Sequence, residues 1–233
     1  MSNHTVIAFD VDLQAIRAEI ISMAQLVEQQ IAGAAAALVN RDAEIAGSVI
    51  AMDVRVNEML HEIETKVVET VARRQPFAVD LREIIGAFHI SHDLERSGDL
   101  AKNICKRVMM LDIAIPETLI PNIQSLAMLA LRCFRRVLDS YVERDEAKAA
   151  DVWNSDKEID EVQNSLFGEV LVCMMSDPRN ITSCTHLLFC LKNLERMGDH
   201  ATNIAESVRF MVKGDRFIGD RPKANEAHPA VMT

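Results

Sequence analysis

Apolar side chains recur every three or four residues over most of the chain, the period of an amphipathic helix. Ile123, Leu126, Ala130, Phe134, Val137 and Tyr141 form one such stripe, with Arg132, Arg135 and Arg136 turned elsewhere. Prolines punctuate the pattern, and up to residue 213 they stand only at positions 76, 116, 121 and 178. Proline is tolerated in the first turn of a helix and not inside one, so these positions mark element boundaries. Ser176-Asp177-Pro178 reads as a cap followed by proline near the first helical position. One helix over residues 1–75 would be about 110 Å long, which no small core can cover. The chain is therefore expected to fold back near Asn40-Arg41-Asp42, and again near Glu143-Arg144-Asp145, where cap residues sit together. That predicts three helices before Pro116 and three after it.

Composition agrees with an all-helical chain. Of 233 residues 49% are apolar but only 4% aromatic, and twelve Met join Leu, Ile, Val and Ala in a core suited to helix packing. Eight Gly and six Pro are few, so turns are few and elements long. The net charge of −10 weighs against a protein that tracks nucleic-acid phosphates, as does the lack of a basic recognition helix. Met1–Thr5 shows no leader pattern, and no run of about 18 residues is free of charge, so a cytoplasmic protein without membrane insertion is expected. Five cysteines (Cys105, Cys133, Cys173, Cys184, Cys190) form no C-x-x-C pair and read as free thiols in helical, apolar surroundings.

The chain also repeats itself. Residues 93–104, DLERSGDLAKNI, match residues 193–204, NLERMGDHATNI, at eight of twelve positions with an offset of 100. Such self-similarity marks an internal duplication whose boundary falls at the Pro116–Pro121 linker. The expected architecture is two tandem antiparallel three-helix bundles, residues 1–115 and 116–213, followed by a mobile, aperiodic tail over 214–233.

The repeated motif places carboxylates four residues apart on one helix face: Glu95 with Asp99, and Glu195 with Asp199, continued by Asn103 and Asn203. Both the like-charge spacing and the mid-helix Gly98 and Gly198 cost stability. A hard cation held by carboxylate oxygens would offset that cost, with glycine allowing close backbone approach. A plainer reading is also open, in which Arg96 and Arg196 relieve the repulsion and the glycines serve packing. A preceding helix adds Asp53 and Asn57 to the first patch, and Asp156 and Asp160 to the second. In an antiparallel hairpin these face the motif, giving three carboxylates and an amide in one patch and four carboxylates in the other. Unoccupied carboxylates so gathered would raise one another's pKa.

The doubled ER-x-GD-x-x-x-NI pattern, each copy on the last helix of a three-helix unit, resembles the PhoU family of phosphate-transport regulators. So does the stretch Arg74-Gln75-Pro76-Phe77-Ala78-Val79-Asp80-Leu81-Arg82. The resemblance covers residues 8–213. It implies a cytoplasmic, homodimeric, non-enzymatic negative regulator of phosphate uptake, linking the phosphate ABC transporter to a sensor histidine kinase. It also implies divalent or trivalent metal ions, as single ions or multinuclear clusters of iron, manganese, magnesium or zinc. The implied ligands are Glu95, Asp99, Glu195 and Asp199, with Asp53, Asn57, Asp156 and Asp160 beside them and Asn103 and Asn203 as outer donors. The rival reading is a di-iron carboxylate oxidoreductase or iron-handling bundle. It rests on the E-x-x-H of Glu58 and His61, for which the chain offers no second copy.

Overall fold

The computed structural model describes residues 3–111 and 115–217; the side chains of residues 3–8 and of Asp156 lie outside the described part. Helix α1 spans Asn3–Asn40, α2 Ala43–Arg74 and α3 Ala78–Val108. After the linker come α4 (Ile120–Glu143), α5 (Glu146–Asn154) and α6 (Asp156–Ser176). A 3-10 turn over Pro178–Asn180 leads into α7, Ile181–Lys213. No helix among the described residues is long and apolar enough to cross a membrane.

Both expected reversals occur, by the same device. Arg41 and Arg144 take left-handed backbone, with φ of 53° and 56°. The aspartate that follows each then caps the next helix. Asp42 Oδ1 accepts from the Glu44 and Ile45 amides at 2.9 and 3.0 Å. Asp145 Oδ1 accepts from Ala147 and Lys148 at 2.9 and 3.2 Å. Each satisfies two amide donors that a helix start otherwise leaves open. Asp177 does the same for the 3-10 turn through the Arg179 amide.

One element differs from the expectation. The middle helix of the second half is broken at Ser155 into α5 and α6, where the first half has the unbroken α2. Ser155 Oγ donates to the Val152 carbonyl at 2.9 Å and lies 3.5 Å from Cys133 Sγ on α4. A serine bonded to its own backbone competes with the helical ladder, and here it marks the break.

Helices α1–α3 form the first bundle, and α4, the α5–α6 pair and α7 form the second. The most extensive packing in the molecule joins the bundles, α3 against α7. The predicted stripe from Ile123 to Tyr141 is buried, in one continuous core with Ile31, Ile63 and Leu94 of the first half and Leu191 and Ile204 of the second. Gly86 makes the seam close: Met211 of α7 occupies the space a Cβ would need. One residue assigned to the tail, Phe217, is packed as well. Phe217 stacks on Trp153 with ring centroids 5.0 Å apart, and the Arg209 guanidinium lies 4.7 Å over the Phe217 ring. Residues 218–233 lie outside the described residues.

Candidate functional site

Asp53 points from α2 toward α3, where Glu95 and Asp99 occupy successive turns of one face. Asp53 is only 7% exposed. Its Oδ2 accepts from Asn57 at 3.3 Å, and its Oδ1 is buried without a hydrogen-bond partner. Burial raises the Glu95 pKa above the usual carboxylate value, and the charges of Asp99 and Asp53 add to the effect. Arg96, 3.6 Å away and largely exposed, opposes it. The structure therefore gathers Asp53, Asn57, Glu95 and Asp99 in one place, as the spacing suggested.

The second cluster follows the same plan. Glu195 is 6% exposed and Asp160 8%. Glu195 Oε1 accepts from Lys192 at 2.8 Å, while its Oε2 is buried without a partner. Burial again raises its pKa; Lys192 opposes this, and Asp199 and Asp160 add to it. Asp156 begins α6 one turn before Asp160, but its side chain is outside the described residues. In both clusters desolvation, rather than mutual repulsion, is the largest cause of the raised glutamate pKa.

Three further features shape the site. The first is Lys102, whose Nζ donates to Asp53 Oδ2 at 2.8 Å and to Asp99 Oδ1 at 2.5 Å. Burial works against its charge, but the hydrogen bonds it donates to these two carboxylates, together with their negative charges, outweigh burial and hold its pKa above the usual lysine value. Its spacing of three from Asp99 was the available signal, and it reads as an ordinary surface pair. The second is the environment of Gly98. A Cβ there would meet the Oε1 of Gln30, a fully buried side chain of α1, at 2.7 Å. The glycine makes room for packing between α1 and α3, so its cost is explained without a cation. The third is the partner of Asn203, which donates to Asp93 Oδ1 at 3.2 Å. His200 Nδ1 lies 2.9 Å from the same oxygen, so these residues join α7 to α3. Asn103 is exposed on α3, one turn past Asp99.

The donors at both clusters are oxygens, which suit a hard cation. Two of those oxygens, Asp53 Oδ1 and Glu195 Oε2, are buried and unpartnered, so the donor set fits a cation in kind. As they stand, no three His, Cys, Asp or Glu side chains among the described residues converge closely enough to hold one. The thiols do not supplement the set. None of the five forms a disulfide, and burial pushes Cys105 and Cys190 up to about 12 and Cys184 to about 11. The di-iron reading loses its anchor, because His61 is 87% exposed and Glu58 pairs with Arg55 on the surface. His92 turns to Glu64 at 3.2 Å and packs edge-on to Phe88.

Known proteins resemble this chain in both sequence and fold. The profile of the PhoU domain matches it twice, over residues 20–108 and 123–208, one copy for each bundle. The chain belongs to the PhoU family. It is 48% identical to the phosphate-specific transport system accessory protein PhoU homolog of Rhizobium meliloti, over 94% of this chain and 93% of that protein. A homolog so described from Caulobacter vibrioides is 45% identical over 96% and 97%. The crystal structure of PhoU from Pseudomonas aeruginosa superposes with a TM-score of 0.86 at 33% identity, covering 89% of this chain and all of that one. The PhoU family is one of accessory and regulatory proteins in phosphate transport, not of enzymes.

Proposed function

We propose that this PhoU-family chain restrains phosphate uptake and the phosphate-starvation response as a cytoplasmic, homodimeric adaptor. In this reading it docks on subunits of the phosphate ABC transporter and on a sensor histidine kinase, and relays the state of one to the other. The observation that carries the reading is the pair of partly buried carboxylate clusters, one at each copy of the motif that marks the family. A cation bound there would neutralise clustered charge and tie the motif helix to the helix before it. Asp53, Asn57, Glu95 and Asp99 would hold it in the first bundle, and Asp156, Asp160, Glu195 and Asp199 in the second.

The charge of −10 favours protein partners over nucleic acid, so any effect on transcription passes through the kinase. Retention of the full-length protein on transporter-subunit or sensor-kinase bait, with none on DNA, is the expected result. Absence of retention under every phosphate condition contradicts the adaptor role.

A further inference from the structure

The motif is duplicated, but its charge balance is not. Lys102 is 18% exposed, and its ammonium lies between Asp53 on α2 and Asp99 on α3, bonded to both. The matching position in the second repeat is Thr202, whose hydroxyl donates to the Asp199 carbonyl of its own helix at 2.8 Å. A hydroxyl so placed carries no charge and bridges nothing. The lysine beside the second cluster, Lys192, is 54% exposed and reaches Glu195 from the same helix, three residues away. It leaves Glu195 Oε2 buried and without a partner.

We infer that Lys102 is the built-in counter-cation of the first cluster, so that a free divalent cation is taken up by the second cluster and kept out of the first. The inference rests on the cation-binding part of the proposed function and narrows it from two clusters to one: Lys102 fills the first, and a free cation enters the second. A cation entering the first cluster has to expel a largely buried ammonium from between two carboxylates, losing two charge-assisted hydrogen bonds. At the second cluster it displaces one solvent-exposed ion pair of the kind that contributes little. There it also meets a carboxylate oxygen that nothing else satisfies. The two repeats thus divide the labour: the first is neutralised from within, and the second responds to its surroundings.

The test is Mn2+ binding to the full-length protein by equilibrium dialysis, with thermal unfolding in EDTA as an independent readout. Wild type is expected to bind Mn2+, to lose it in the Glu195→Gln/Asp199→Asn variant and to keep it in Asp53→Asn. Lys102→Met is expected to gain a further equivalent that Asp53→Asn then removes. Loss of wild-type Mn2+ on Asp53→Asn, or no gain in Lys102→Met, overturns the exclusion. Absence of Mn2+ from every variant overturns both the exclusion and the cation reading. The counter-cation assignment is then judged by unfolding alone. Lys102→Met lowers the midpoint, Lys102→Arg preserves it, and adding Asp53→Asn to Lys102→Met raises it again. Additive effects of the two substitutions overturn that assignment.

Discussion

Glu195 is a carboxylate held where its charge is poorly served. One oxygen has Lys192; the other is buried with nothing to accept from. Its pKa in the folded protein therefore lies above the ordinary glutamate value near 4.5 that it has in the unfolded chain. Between those two values the folded state binds more protons. Lowering the pH through the folded value thus adds stability, and the gain is complete below 4.5. Above the folded value the whole penalty of the buried charge is present. Glu195→Gln removes that penalty and keeps an acceptor for Lys192. In chelator-treated protein the variant is expected to unfold at a higher temperature at neutral pH and to lose its share of the mild-acid gain. Scans at a series of pH values check this, and a variant less stable at pH 7 with an unchanged pH slope contradicts it. The carboxylates of this face were legible in the sequence because i,i+4 spacing on a helix fixes their direction. Lys102 was not, because spacing alone does not tell a lysine that snorkels to solvent from one that folds back between two acids.

Among the elements, the two reversals at Arg41 and Arg144 were readable because capping is local chemistry, decided by the aspartate and the amides beside it. The break at Ser155 is not legible in the sequence because no proline or glycine marks it, and the contact with Cys133 comes from another helix. Close helix approach is likewise a tertiary matter, visible in the sequence only as an unexplained glycine. Gly86 and Gly47 separate the two cases. A Cβ at position 86 would overlap Met211, which is itself buried, whereas nothing lies within 4 Å of one at position 47. Gly86→Ala is expected to destabilise by about 1–3 kcal/mol, less the helix propensity it recovers. Gly47→Ala is expected to stabilise by up to about 1 kcal/mol, since it gains propensity without a clash. Urea unfolding of the two variants measures both. Equal effects would show that α3 and α7 do not meet as closely as described.

At the scale of the whole molecule, duplication was evident from the repeated twelve residues, and with it the three-helix unit. The union of the two units was not, because an apolar stripe declares that a face is buried without naming what buries it. The third helices of both units meet along α3 and α7, and Asp93, His200 and Asn203 join them across that seam. Each carboxylate cluster therefore sits on a helix that also forms the junction between bundles. A cation that tightens one cluster acts on an element shared by the whole fold, which is how a local charge change would reach a docking surface. The central claim is that docking depends on a cation at the acidic face. It is tested most directly by retention of the full-length protein on purified phosphate-transporter subunits, with Mn2+ and with EDTA, for wild type and the Glu195→Gln/Asp199→Asn variant. The account predicts retention of wild type with Mn2+, and its loss on chelation and in the variant. Equal retention of both proteins under both conditions would contradict it.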